Sequence, residues 1–403
     1  MKNRELHKSR KLRIDIKEMR KTGEYKMKKI GIYIHIPFCK SKCYYCDFTS
    51  FSNKEELVKE YVQCLIREIR NRKNKNLIVK TIYIGGGTPS YINEEYILKI
   101  MDEIRASFIL TPDTEISIEV NPGTVTYNKL KTYYDCGINR LSIGLQTSND
   151  NLLKEIGRIH TFKDYLQTIE IAKGVGFTNI NSDLIIGIPN QTIYDVEDSI
   201  NTLIKLRIPH ISVYSLIVEE NTKIQKMLNN NELKPIDDEI ERYMYWFVKR
   251  KLEENRYVHY EISNFAKPGY YCRHNVDCWN QKEYLGFGVA ASSYFDKERY
   301  SNTNCIEEYI KNIKNNDFEK NVKIEEIQSA KEQMNEYMIL GLRKIKGVNT
   351  DDFIRKFKKD PFVIYKDKII KLINEDLINV DLNKIWLTKK GLDFANVVWE
   401  EFV

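Results

Sequence analysis

The sequence predicts an α/β protein: a partial (β/α)6 barrel followed by a smaller α+β domain with a winged-helix-like ending. Three observations carry this. Short apolar runs rich in Ile, Val and Tyr alternate with longer segments of helical period from residue 31 to about 218, the mark of repeated βα units. Six such units occur, too few for a closed eight-stranded barrel. After residue 300 the pattern changes to helices, a Lys-rich connection and a short hairpin.

In chain order the strand candidates are Gly31–Pro37, Thr81–Gly85, Glu115–Asn121, Arg140–Gln146, Asn179–Gly187 and His210–Leu216. Helix candidates lie near 54–73, 93–107, 126–136, 149–175 and 192–206. Met334, Tyr337, Met338, Gly341 and Leu342 have the spacing of a buried helix face. Leu372–Val403 reads as a helix, a two-stranded wing and a last helix. The expected divisions are a basic extension over 1–28, a barrel with its extension over 29–300, and a C-terminal domain over 301–403.

The formal net charge of +7 is concentrated at one end: residues 1–30 hold 12 Lys/Arg and 4 Asp/Glu, which leaves the remainder at −1. The body therefore lacks the basic field of a nucleic-acid binder. Residues 301–403 carry 18 Lys/Arg and 18 Asp/Glu, which argues against DNA binding by the wing. The leader has no apolar core of a signal peptide and contains Glu5, Asp15, Glu18 and Glu24, unlike transit peptides. It reads as a solvated extension, with Met1 and Met27 both open as the translational start. No run of about 18 apolar residues exists to span a membrane. Eight cysteines without a secretion signal point to the cytoplasm and to metal or chemistry rather than disulfides.

Cys39, Cys43 and Cys46 place three thiolates on a loop after the first strand. Three ligands suit a 4Fe-4S cluster with one iron left open, because electron-transfer clusters take four cysteines. An open iron takes the amino and carboxylate groups of S-adenosylmethionine (SAM), and an electron then breaks its carbon–sulfur bond. A structural zinc needs four ligands in paired spacings, and no second pair is present. Gly85-Gly86-Gly87-Thr88-Pro89 brings bare backbone to the end of the second strand. Glu119, Gln146, Arg158 and Asp183 are polar residues on or just beyond apolar strands. In barrel folds the chemistry sits at the strands' carboxyl ends, and these motifs all fall there.

Tyr33-Ile-His35-Ile-Pro37-Phe-Cys39-x3-Cys43-x2-Cys46, Gly85-Gly-Gly-Thr-Pro89, Glu119-Val-Asn-Pro, Leu141-Ser-Ile-Gly-Leu-Gln146, Gly157-Arg158 and Asp183-Leu-Ile-Ile-Gly-Ile-Pro189 together resemble the radical SAM branch that contains oxygen-independent coproporphyrinogen III oxidase and the HemW haem chaperones. The resemblance runs from about residue 29 to the C-terminus. It implies that Tyr33, Tyr45, Gly86, Gly87, Thr88, Glu119, Gln146, Arg158 and Asp183 line the SAM pocket, and that the backbone near Ile217 contributes. The oxidase pattern has a fourth cysteine two residues after the third, where this chain has Phe48, as the chaperones do. Tyr260-Glu-Ile-Ser-Asn264 and His274-Asn275-x2-Cys278-Trp279 resemble the chaperones' second signature, with Cys278 in place of its Tyr.

The resemblance implies a chaperone that binds haem, a 4Fe-4S cluster and SAM, and passes haem to an acceptor protein. It makes His274 the candidate axial haem ligand, since neutral imidazole binds haem iron. A flavodoxin- or ferredoxin-type electron donor and peripheral membrane contact are compatible with it. Catalysis by a porphyrinogen-converting radical enzyme, or by a radical methyltransferase, is the competing class. Phe48 weighs against the first. A second metal-like grouping, Cys272, His274 and Cys278, lacks a fourth partner.

Overall fold

The computed structural model describes residues 27–403. The leader expectation and the choice between Met1 and Met27 lie outside the described residues, apart from Met27 and Lys28.

Six strands run parallel in chain order: β1 (Lys28–Ile36), β2 (Leu77–Gly86), β3 (Ile109–Val120), β4 (Arg140–Gln146), β5 (Asn179–Ile186) and β6 (His210–Ser215). The expected partial (β/α)6 barrel is thus present, and the sheet continues beyond it on both sides. A hairpin of β7 (Val258–Glu261) and β8 (Asn264–Ala266) pairs antiparallel with β6. On the other side β9 (Tyr284–Phe287) joins β1 as a seventh parallel strand. It is followed by antiparallel β10 (Ser292–Phe295), β11 (Glu298–Asn302) and β12 (Val322–Ile327). The sheet holds 12 strands in the order β12-β11-β10-β9-β1-β2-β3-β4-β5-β6-β8-β7.

Strict alternation along the strands decides what each face does. Ile32, Ile34 and Ile36, Ile82 and Ile84, Ile116 and Ile118, and Leu141, Ile143 and Leu145 are buried in the core shared with the helices. The helix Val58–Asn71 answers them with Tyr61, Val62, Leu65 and Ile69, each worth about 1.5–3 kcal/mol of burial. The opposite face carries Tyr33 and His35, Thr81 and Tyr83, Glu115, Ser117 and Glu119, Arg140, Ser142 and Gln146, Asn181 and Asp183, and His210 and Ser212. An ordinary parallel barrel fills this space with Val, Ile and Leu. Here the lumen is polar, which suits a ligand more than a packed core.

One expectation is corrected. The helix expected over 149–175 is two helices, Asp150–Glu155 and Phe162–Val175. Gly157 breaks it at φ +74°, and a Cβ there would lie 2.4 Å from the Tyr44 ring. The division expected at 300/301 falls inside the extended sheet. β11 pairs with β12, and Ile306, Tyr309, Ile310 and Ile313 of the helix Ile306–Lys314 belong to the barrel's core. A second core begins with Met334 and Met338 on the helix Ala330–Leu342, capped by a Ser329/Glu332 capping box. The wing is β14 (Ile378–Asp381) and β15 (Lys384–Leu387), with β13 (Val348–Asn349) adding a third strand.

Candidate functional site

The candidate residues after β1 form a loop held from several sides. Cys39 N–H donates to Phe51 O (2.9 Å), and Cys46 N–H to Cys43 O (3.3 Å). Thr88 N–H donates to Phe38 O (2.8 Å) and Gly87 N–H to Ile36 O (2.9 Å), so the glycine-rich turn after β2 is stitched to this loop. A Cβ at Gly87 would lie 2.9 Å from Phe38 O and 3.0 Å from Cys39 Sγ. Only glycine permits that approach. From below, His35 joins Tyr33 Oη (2.9 Å) to Thr49 O (2.8 Å), which ties the loop's exit to the strand that launches it. The 216–224 connection after β6 crosses to the same loop, where Ile224 N–H donates to Tyr44 O (2.9 Å) and Lys223 lies 3.6 Å over the Tyr44 ring.

Breaking the helix at Gly157 turns Arg158 back to the loop. Its guanidinium approaches Cys43 Sγ (3.5 Å) and donates to Asn121 Oδ1 (2.9 Å) and Gly144 O (3.2 Å). Asn121 in turn donates to Thr88 Oγ1 (2.9 Å), and that hydroxyl donates to Cys39 Sγ (3.5 Å). A Cβ at Gly144 would lie 2.8 Å from Gln146 Nε2 and 2.9 Å from Arg158 Nη2. Gly144 is therefore the gap that lets both side chains in, and Gln146 takes φ +68° at the strand's end. Tyr45 stands beside Arg158 and packs against the small apolar cluster of Leu152, Ile156, Ile185, Ile188 and Ile224.

On the lumen side Glu119 accepts from Tyr83 Oη (3.0 Å) and from Gly86 N–H (3.2 Å). Asp183 accepts from Asn181 Nδ2 (2.8 Å) and Ser142 Oγ (3.4 Å). Burial, then the charge of Asp183, pushes the Glu119 carboxyl up to about 7. Its folded value exceeds the ordinary 4.5, so the protonated form is the stabilised one. That contribution is complete below the unfolded value and is lost as pH rises through about 7. A ligand that needs the ionised carboxylate gains in the opposite direction. If Glu119 meets SAM as a carboxylate, SAM binding tightens about tenfold from about pH 6 to about pH 8, and Glu119→Gln abolishes that dependence in a titration across the range.

The structure brings Cys39, Cys43, Thr88 and Arg158 into one bonded assembly through Asn121, with Gly87 close against Cys39 and Gln146 beside Arg158, and Gly86, Glu119 and Tyr33 adjoining it through His35 and Tyr83. His274 is elsewhere. Its ring is 6% exposed, shares a hydrogen bond with Thr81 Oγ1 through Nδ1 (2.9 Å) and stacks on Tyr83 at 5.4 Å. Burial pulls it down to about 4, so it is neutral, the form of imidazole that binds haem iron. Reading the sequence alone missed Asn121, Tyr83 and the bridging role of His35. Tyr83 and His35 fall at the inward parity of their strands and Asn121 continues that of β3 one residue past its end, the one signal that would have found them.

The thiols can be tested against the two metal readings. A single zinc ion holds all its sulfurs at ~2.3 Å, whereas a cubane spreads its thiolates over separate irons. Among the described residues no group of three His, Cys, Asp or Glu side chains could hold one metal ion. Three thiols on one loop, with an arginine beside Cys43 to offset negative charge, fit a cluster better than zinc.

A model of the radical SAM superfamily matches residues 33–203, and one of the HemN C-terminal domain matches 328–394. The protein named "Heme chaperone HemW" in Lactococcus lactis is 37% identical over 92% of this chain and 96% of its own length. Its namesake in Bacillus subtilis is 38% identical over 92% and 98%. The chain belongs to the HemW family of radical SAM proteins. The Escherichia coli member is 37% identical over 66% of this chain and 70% of its own. Among solved structures, coproporphyrinogen III oxidase (HemN) from Escherichia coli superposes with a TM-score of 0.83, covering 94% of this chain and 91% of that one at 21% identity, which speaks for the fold alone. Membership of the radical SAM superfamily implies a 4Fe-4S cluster and SAM. No helix among the described residues of this HemW family member is long and apolar enough to cross a membrane.

Proposed function

We propose that this protein is a haem chaperone, in which Cys39, Cys43 and Cys46 hold the 4Fe-4S cluster and Tyr33, Tyr45, Gly86, Gly87, Thr88, Glu119, Gln146, Arg158 and Asp183 bind SAM. It takes up haem in the cytoplasm and passes it to an acceptor protein, with a flavodoxin- or ferredoxin-type donor reducing the cluster. The observation that carries this reading is Phe48. Two residues beyond Cys46, it is 64% exposed, an apolar side chain held toward solvent beside the cluster loop. Ile159 (58%), Ile217 (67%) and Val218 (40%) are exposed on loops at the same end of the barrel. Exposed apolar side chains at a site mark a binding surface more often than a structural need, and the flat apolar face of a porphyrin is the ligand that the relatives' names suggest.

The cluster and SAM, when bound, supply one-electron chemistry. Around them the chain's own residues have separable tasks. Arg158 offsets the thiolate charge at Cys43 and fixes Asn121; Gly86 and Gly87 keep Cβ atoms out of the pocket; Glu119 holds or releases a proton on Oε1 and Oε2 near pH 7. Tyr83 keeps that carboxylate oriented.

The competing reading is a porphyrinogen-converting radical enzyme, on the same fold. Anaerobically reconstituted protein given SAM, reductant and coproporphyrinogen III is expected to give no protoporphyrinogen IX above background. Turnover with matching SAM consumption would replace the chaperone reading with the enzymatic one.

A further inference from the structure

At the amino-terminal end of the lumen, Ser117, Arg140 and Asn179 stand in register on β3, β4 and β5. Arg140 is 2% exposed. Among the described residues its guanidinium makes neither a hydrogen bond nor an ion pair, and its Nε, Ser117 Oγ and Asn179 Oδ1 are buried without partners. A guanidinium is always charged and carries five donors in a planar fork, so a buried one that bonds to nothing is costly.

The lumen's carboxylates do not fill the fork, because each is engaged elsewhere. Glu115 accepts from the backbone N–H groups of Arg273 and His274 (both 3.1 Å). Asp183 is held by Asn181 and Ser142, and Glu119 by Tyr83 and Gly86. The other groups that feel the Arg140 charge are Cys272, Tyr83, Tyr260, His210 and His274, none of which bonds to it.

We propose that Arg140, with Ser117 Oγ beside it, is a carboxylate-binding site at the base of the barrel lumen. A carboxylate presents two oxygens to a guanidinium fork in parallel, and the Ser117 hydroxyl donates to one of them. A dianion such as phosphate is disfavoured, because Glu115, Glu119 and Asp183 already surround the site with acidic groups. The ligand is a free short-chain acid or the carboxylate arm of a larger molecule, a haem propionate included.

Propionate titrated into the full-length protein at constant ionic strength, with chloride as the matched control, tests the site by thermal shift. A saturable rise in melting temperature with propionate only is expected, weakened about tenfold or more in Arg140→Met. Ser117→Ala, which removes one neutral hydroxyl and should fold whether or not Arg140→Met does, is expected to weaken it about threefold. A parallel titration compares haem with haem dimethyl ester. If the site serves a propionate arm, haem binds tighter than its ester in the parent protein, and Arg140→Met or Ser117→Ala narrows the difference. Either response supports the site and names the source of the carboxylate. A shift that does not saturate or that chloride matches, or one unchanged in both variants, together with equal binding of haem and ester, overturns it.

Discussion

Replacing Cys39, Cys43 and Cys46 together with Ala is expected to remove the brown iron–sulfur chromophore completely and to leave the barrel folded. Loss is expected to be total because each thiolate anchors a separate corner of a cubane and no other cysteine is near enough to substitute. Cys64 is buried on the helix Val58–Asn71, Cys136 caps the helix Tyr127–Asp135, Cys272 lies against Glu115, Cys278 is on the helix Arg273–Trp279, and Cys305 opens the helix Ile306–Lys314. The fold survives because the loop lies beyond β1, whose Ile32, Ile34 and Ile36 do the packing. Cys39 is the most buried of the three, at 8% exposure. Truncating it costs about 1–2 kcal/mol, against the 5–15 kcal/mol of a typical domain. Iron content and visible absorbance after anaerobic reconstitution read the first effect and far-UV circular dichroism the second. Cluster absorbance in the triple variant would refute the ligand assignment.

Gly86→Ala is expected to fold yet lose most of its SAM affinity and cluster occupancy. Gly86 sits at φ +111°, and a Cβ on it would lie 2.6 Å from His35 Cε1 and 2.7 Å from His35 Nδ1. The backbone term alone is about 1–3 kcal/mol, and the ring must move besides. His35 cannot yield cheaply, because Thr49 O, Tyr33 Oη and the Tyr61 hydroxyl on its own carbonyl (2.7 Å) hold it. The displacement therefore passes to the exit of the cysteine loop on one side, and to the Gly86 N–H that Glu119 accepts from on the other. SAM affinity is expected to fall at least about tenfold, measured by titration of the reconstituted protein. Gly174, on the helix Phe162–Val175, provides the control, because a Cβ there would meet nothing within 4 Å. Gly174→Ala should leave SAM binding unchanged and raise stability by up to about 1 kcal/mol.

The parts of this arrangement that the sequence made legible are those written in local pattern. Six strands of alternating Ile and polar residues, such as Ile32-Tyr33-Ile34-His35-Ile36, declare both their extended backbone and their two faces. The cysteine spacing declares its chemistry in the same local way. What stayed hidden depends on contacts between distant segments. His274 offers an imidazole near two cysteines in sequence, but Thr81 and Tyr83 from β2 turn it into a packed lumen residue. The break at Gly157 is invisible in helical periodicity, because the reason for it is Tyr44, more than a hundred residues earlier. The division at 300/301 looked natural because composition changes there, yet β11 and β12 pair across it. Arg140 read as the first residue of a strand, and only its register with Ser117 and Asn179 reveals an unpartnered charge.

The most direct test of the chaperone reading is a haem titration of anaerobically reconstituted protein, followed in the Soret region with and without SAM. A haem chaperone gives a saturable Soret change at micromolar haem, with bound haem that a competent acceptor protein can withdraw. A spectrum that remains the sum of free haem and protein throughout the titration would contradict that reading.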